Sequence, residues 1–250
     1  NIVLSPVIWS LAKLRHVDID KCSVFVSDID KPTKLENLTT LSGLHVSSSA
    51  DSEDIFKRFS NLQTLAFSMD CSAEELIPFP RLDVLSNLEI VWAQFDCSEP
   101  RAHVHQFDFH FPASLKQVEL AWFDLTSDEL SRIGRSTPNL QKLELSWGSI
   151  QGGKEWNMEQ VTFHNLKYLK LSCFSFSEWQ VIADESFPVL EKLKIEYCVE
   201  LKEIPESFGD IPSLKFIFGW GNPQLKESAL KIKEYVEELT GEDRLRVRLG

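Results

Sequence analysis

An apolar pattern, in outline L-x-x-L-x-x-L-x-L, returns nine times along this chain, about every 25 residues. Its strand-like cores are Val17/Ile19, Leu44/Val46, Leu65/Phe67, Val91/Ala93, Val118/Leu120, Leu143/Leu145, Leu169/Leu171, Leu193/Ile195 and Ile217/Gly219. Their first positions lie 27, 21, 26, 27, 25, 26, 24 and 24 residues apart. A unit of that length cannot bury an apolar face alone, whereas stacked units share one continuous core. Each unit then supplies a short strand and a return segment. The two core residues of a strand point inward and the residue between them points out.

Periods of roughly 20–29 with this signature mark leucine-rich repeats. The expected fold is an α/β solenoid, a horseshoe with a parallel concave sheet of about nine strands. Irregular and short helical returns should form its convex side. Residues 1–222 are read as the repeats, and residues 223–250 as a helix-plus-strand cap of the same domain. In the fourth repeat Leu88/Ile90 also satisfies the alternation. Val91/Ala93 is preferred because it evens the spacing, and a one-residue slip would exchange the two faces.

The repeats begin on an apolar–(Pro/Ser/His)–x–Leu lead-in, as in Phe59-Ser60-Asn61-Leu62, Phe163-His164-Asn165-Leu166, Phe187-Pro188-Val189-Leu190 and Ile211-Pro212-Ser213-Leu214. Among the returns, Thr126-Ser127-Asp128-Glu129 is a capping-box pattern ahead of Leu130 and Ile133, so a helix should start there. Asp51 to Phe59 and Ser177 to Ala183 are weaker helical patterns. Asp96 to Phe111, with Pro100 and three histidines, reads as a protruding polar loop. Near the end, Asn222-Pro223 gives an N-cap and a proline at the first helical position. Leu225, Ala229, Ile232, Val236 and Leu239 make one apolar helix face, and Gly241 stops it. Leu245, Val247 and Leu249 alternate with Arg244, Arg246 and Arg248, the pattern of a last strand with one wet face. No comparable cap is visible at the N-terminus. The chain begins in mid-pattern at Asn1, which reads as a piece of a longer protein.

Composition excludes several classes. The formal net charge of −12 disfavours a phosphate-binding surface for nucleic acid. No apolar run is long enough for a membrane span. The five cysteines are odd in number and follow no disulfide-scaffold spacing. Cys22, Cys71, Cys97 and Cys198 fall five or six residues after a first core position, where a repeat turns. Reduced, structural thiols fit that place, and with them a cytoplasmic setting. The sequon Asn37-Leu38-Thr39 contains a core leucine and reads as chance. Cys97, His103, His105 and His110 match no zinc spacing. Gly152-Gly153 is a turn, and neither a nucleophile elbow nor a paired catalytic carboxylate occurs. No enzyme activity, metal or cofactor is expected in this chain.

Pro6-Val7-Ile8-Trp9-Ser10-Leu11-Ala12-Lys13-Leu14-Arg15-His16 resembles the P-x-x-I-W-x-L-x-x-L-R-H opening of plant intracellular immune receptors. Leu35-Glu36-Asn37-Leu38-Thr39-Thr40-Leu41-Ser42 resembles their next repeat. Cys198-Val199-Glu200-Leu201-Lys202-Glu203-Ile204-Pro205 is similar to their late C-x-x-L-x-x-I-P block, and the final helix ending at Gly241 follows suit. The chain therefore resembles the leucine-rich-repeat domain of a coiled-coil NB-LRR receptor of solanaceous type, similar to helper receptors required for cell death. Gly before Ile-Pro and a regular Asn corner, marks of the extracellular plant pattern, are missing. The resemblance implies a parent with a coiled coil and a nucleotide-binding switch module that holds ADP or ATP; no G-x-x-x-x-G-K-[ST] lies in this chain.

Two features mark a candidate surface. Four residues after the first core position stand Phe95, Trp122, Trp147, Cys173 and Tyr197; Trp92 and Trp220 lie nearby. These rings either edge the concave face as contact residues or pack beneath the next loop. On the same face Lys116, Lys142, Lys167, Lys170, Lys192 and Lys194 interleave with Glu119, Glu144, Glu191 and Glu196. They form either a solvated sheet or a docking face for an acidic partner. The resemblance implies that the partner is the parent's own nucleotide-binding module, held inactive, with Arg15, His16 and Asp18 abutting it. A sensor receptor or a pathogen protein is a further partner, and the isolated domain is expected to be a monomer. The alternative is the substrate-binding arm of an F-box ubiquitin-ligase component.

Overall fold

The computed structural model describes residues 2–4, 8, 10–24, 35–46, 55–70, 78–96, 106–152, 154–158 and 161–250. They fall into two compact units, Asn1–Leu120 and Ala121–Gly250. In the first, β1 (Ile2–Leu4), β2 (His16–Val24), β3 (Thr40–Val46), β4 (Thr64–Asp70) and β5 (Ile90–Asp96) pair parallel in sequence order. β6 (Gln117–Ala121) follows β5 and ends at the border of the unit. The second unit runs β7 (Asp124–Leu125), α1 (Ser127–Ser136), β8 (Lys142–Ser146), β9 (Ser149–Ile150), β10 (Glu155–Asn157), β11 (Tyr168–Ser172), β12 (Glu178–Gln180), α2 (Ala183–Ser186), β13 (Lys192–Glu196), β14 (Phe216–Gly219), α3 (Lys226–Thr240) and β15 (Arg246–Leu249). Here β8, β11, β13, β14 and β15 pair parallel in that order, one strand per repeat. This is the leucine-rich-repeat fold.

The core follows the apolar period. Leu65, Leu143, Leu169 and Leu193 are all buried, and Leu143, Leu169, Leu193, Ile217 and Val247 sit opposite one another on successive strands of the second unit. The fourth repeat takes the Val91/Ala93 frame, paired with Leu65/Phe67. The second repeat does not take the Leu44/Val46 frame. Leu41 is its first core residue, facing Val17 on one side and Leu65 on the other, each 24 residues away. The register then shifts between Leu41 and Leu44, and Gly43 sits at φ +79°. A glycine in the left-handed region is what a bulge of this kind requires. Leu44 and Val46 are buried beyond the bulge, opposite Phe67 and Met69.

The lead-in carries a second repeat of its own. Four residues before the first core position, Asn37, Asn61, Asn87 and Asn165 donate through Nδ2 to backbone carbonyls of the preceding repeat, at 2.7–3.0 Å. Ser114 and Ser213 do the same through Oγ at 2.7 and 2.8 Å. Each bond satisfies a carbonyl that no strand partner reaches. It also explains Asn37, whose amide is engaged with the Ala12 carbonyl.

The returns depart from expectation in two places. α1 starts as the capping box predicts: Glu129 N–H donates to Thr126 Oγ1 at 3.2 Å and Thr126 N–H to Glu129 Oε2 at 2.7 Å. Ser177 to Ala183 is not a helix, because Glu178–Gln180 forms β12 against β10, stacking Trp179 on Trp156 at 4.9 Å. Asp96 to Phe111 is not wholly a polar loop. Phe107, Phe109 and Phe111 are buried, with Phe79 edge-on to Phe109 at 4.6 Å; positions 97–105 lie outside the described residues. So do Asp51 to Asp54, after which Ile55 and Phe56 are helical.

At the C-terminus α3 buries Ala229, Ile232 and Val236 and ends at Gly241 (φ +70°). Leu239, placed on that face by its spacing, is exposed. Asn222 is not a side-chain cap either. It is buried, and its Nδ2 donates to the carbonyls of Ile195 (2.9 Å) and Trp220 (2.8 Å). At the other end, β1 pairs with the last residues of β2, a strand the spacing did not foresee.

Candidate protein-interaction surface

Strand residues alternate, so the residues flanking each first core position form the open face of the sheet. In the second unit these are Lys142, Glu144, Tyr168, Lys170, Lys192, Lys194, Phe216, Phe218, Arg246 and Arg248. Six cations face one carboxylate in that set, and Glu196 further along β13 adds a second, in a chain of net charge −12. Glu144 is the hub. Lys142 Nζ lies 2.6 Å and Lys170 Nζ 3.0 Å from its two oxygens, and the carboxylate is almost fully buried between them. Burial pushes its pKa up, but the hydrogen bonds and charges of the two lysines outweigh that and hold it below the ordinary value. Lys194 bonds Glu196 at 2.9 Å.

Lys116 and Lys167 belong to a different row. They precede their strands, and their N–H groups donate to the carbonyls of Glu89 and Gln141 in the preceding repeat. Lys116 Nζ reaches Glu89 at 2.7 Å, and Lys167 stands 4.0 Å from Glu191. Four of the six lysines thus stand on the open face of the second unit and Lys167 at its lead-in edge, while Lys116 takes the corresponding place ahead of β6 in the first unit.

In the first unit Arg15, His16 and Asp18 are exposed, His16 and Asp18 on β2 and Arg15 just before it. Trp92 is exposed on β5 between the buried Val91 and Ala93. Phe95 is not a surface ring: it is buried, edge-on to Phe107 at 5.3 Å. Cys71, Cys97, His103 and His105 lie outside the described residues, while His110 bonds Asp108 at 2.9 Å. No helix among the described residues is long and apolar enough to cross a membrane. Burial pushes the Cys198 thiol up to about 12, as for an inert core thiol.

The aromatic column has a backbone cause that spacing alone hides. Trp122, Trp147, Cys173 and Tyr197 have φ of +70°, +58°, +49° and +53°, and Gly221 continues the row at +72°. Each N–H donates to a carbonyl of the next repeat: Trp122 to Ser146, Trp147 to Ser172, Cys173 to Glu196 and Tyr197 to Trp220, at 2.8–3.0 Å. The ladder bonds hold the chain in the left-handed region, and the side chains turn outward. Trp122 and Trp147 stack at 5.2 Å with ring planes 13° apart, yet remain 42% and 50% exposed. Tyr197 is 58% exposed. A bulky residue there carries strain on the order of 1 kcal/mol. Trp147→Gly should therefore be more stable than Trp147→Ala by about 1 kcal/mol, the reverse of the usual order. Urea unfolding of the two variants measures this; an alanine variant at least as stable as the glycine one would refute the strain.

The geometry defines a leucine-rich-repeat chain whose second unit has a basic open face and an aromatic edge. No family model matches the sequence. Its curated homologues are late blight resistance proteins of Solanum demissum. Late blight resistance protein R1-A is 31% identical over 237 residues, covering 94% of this chain and 18% of that protein. A putative late blight resistance protein homologue from the same species is 30% identical over 249 residues, again covering 94% and 18%. The chain spans about a fifth of the length of these relatives. Among solved structures, a leucine-rich-repeat protein of Leptospira interrogans aligns over 98% of this chain and 69% of its own, with 16% identity and a TM-score of 0.47. An internalin of Listeria monocytogenes aligns over 99% and 71%, with 15% identity and a TM-score of 0.49.

Proposed function

We propose that this chain is the regulatory and recognition repeat domain of a plant disease-resistance receptor. It is non-catalytic and works in the cytoplasm, holding the parent's nucleotide-binding module inactive until a signal arrives. ADP or ATP belongs to that module and not to this chain. The observation that carries the reading is the Lys142–Glu144–Lys170 cluster on the open face of a chain 31% identical to a resistance protein. Excess cations on an ordered sheet suit an acidic protein face, with charge selecting the partner and exposed rings adding affinity. A surface that prefers the inactive arrangement shifts the parent toward it in proportion to that preference.

The test inverts the charge without stranding Glu144. Reversing Lys142 and Lys170 alone would place three carboxylates together, so the variant combines Lys142→Glu, Glu144→Lys and Lys170→Glu, with Lys167→Glu added at the edge. Expressed in the parent receptor, it should give cell death without a signal. A variant that folds normally and stays silent would remove this face as the inhibitory contact. Contact would then pass to the early repeats around Arg15, His16 and Asp18.

A further inference from the structure

At the C-terminal end of the open face, Lys192, Arg246 and Arg248 border a cavity of about 420 Å³ floored by Phe216, Phe218 and Gly219 and walled by Trp220. None of the three cations forms an ion pair among the described residues. Glu191, which feels the charge of Lys192, is itself bonded to Lys215 at 3.1 Å. The strand register sets Phe216 between Lys192 and Arg246, and Phe218 between Lys194 and Arg248. Lys192 Nζ and the Arg246 guanidinium lie 5.7 and 5.9 Å from the Phe216 centroid, and Lys194 Nζ lies 5.8 Å from that of Phe218. Each ring attracts its cations, but two cations over one ring also repel each other. Lys194 has Glu196 at 2.9 Å to offset that, whereas Arg246 and Arg248 form no ion pair among the described residues.

We propose that this cavity docks an acidic peptide segment in extended form, with carboxylates and a large aromatic or apolar side chain on alternate residues, all on the face turned to the sheet. Strand spacing puts the cations of each row roughly 10 Å apart across a ring, and the two rows roughly 7 Å apart along the strands. The second distance is the i to i+2 repeat of an extended chain. Carboxylates on alternate residues therefore meet Arg246 and Arg248 in turn. The apolar floor rewards a ring or aliphatic body that a bare anion lacks. Trp220, 60% exposed, supplies the kind of aromatic wall on which binding energy concentrates. The proposal is separate from the autoinhibitory reading, which rests on Lys142, Lys167 and Lys170.

Fluorescence anisotropy on this chain tests it directly, with no cell-death readout, so either reading can fail alone. The probe is a labelled peptide with a central tryptophan and glutamates at alternate positions on both sides. Its counterparts carry lysine for glutamate, or glycine for tryptophan. Saturable binding of the first peptide is expected, weakening as salt rises. Arg246→Glu and, separately, Lys192→Glu should each reduce it by about tenfold, with circular dichroism and melting temperature unchanged because both side chains are exposed. No saturable binding would overturn the proposal. So would equal binding of the glycine peptide together with displacement by inorganic triphosphate at the same concentration, which would make the cavity a simple anion site.

Discussion

Gly219→Ala should destabilise the second unit by about 3 kcal/mol or more, although it adds one methyl group. A Cβ built on Gly219 would overlap the Ile195 carbonyl oxygen and lie 2.6 Å from its carbonyl carbon. Both are backbone atoms, so no rotamer relieves the clash, and β13 and β14 must separate. The same carbonyl accepts the Nδ2 bond of Asn222 at 2.9 Å. Moving it would leave a buried amide and a buried carbonyl short of partners, each a loss of about 1–3 kcal/mol. The pairing of β13 with β14 runs from Lys192↔Phe216 to Lys194↔Phe218 and stops one residue short of Gly219, consistent with a close approach that only glycine permits. The urea midpoint of the variant should fall at unchanged slope. A midpoint within error of the parent chain would show that the approach is not tight.

Part of this was legible in the sequence and part was not, for physical reasons. Leu65, Leu143, Leu169 and Leu193 were placed by their period, since burial of one strand face leaves no freedom in register. α1 was legible because a capping box is local chemistry. The second repeat was misframed because the bulge at Gly43 inserts residues that periodicity counts as strand. β10 and β12 were missed because strands of three residues show no alternation, and their pairing is set by the stacked Trp156 and Trp179 from different repeats. The asparagine row was present in the lead-in as Asn61 and Asn165, but its use became visible only with the carbonyl each one meets. At the surface, the tryptophan column and the lysine excess were visible as spacings, while the sequence left open whether each ring is exposed or packed. The burial of Phe95, the separation of Lys116 and Lys167 from the open face, and the lack of an ion pair at Arg246 and Arg248 among the described residues depend on which side of a strand each residue takes.

Leu169→Ala sets the opposite expectation to the charge-inverted variant. Leu169 is fully buried, directly between Leu143 and Leu193 on the neighbouring strands. Truncation removes three carbons' worth of transfer energy and leaves a void that rigid strands on both sides cannot close. The loss should be on the order of 2–5 kcal/mol. Against a typical domain stability of about 5–15 kcal/mol, that fraction is large. Repeats contact only their neighbours, so the defect should act first on β8, β11 and β13. Hydrogen exchange should show those strands losing protection while β3, β4 and β5 of the first unit keep theirs. Leu169→Met, close in volume, should lose less than about 1.5 kcal/mol. In the parent receptor Leu169→Ala should lower the amount of folded protein and with it the response to a signal, because a stability loss of this size exposes the whole chain to degradation. The charge-inverted variant keeps its core and should respond without a signal. If both variants gave the same signal-independent death, the restraint would lie in mere foldedness of the repeats and not in the lysine face.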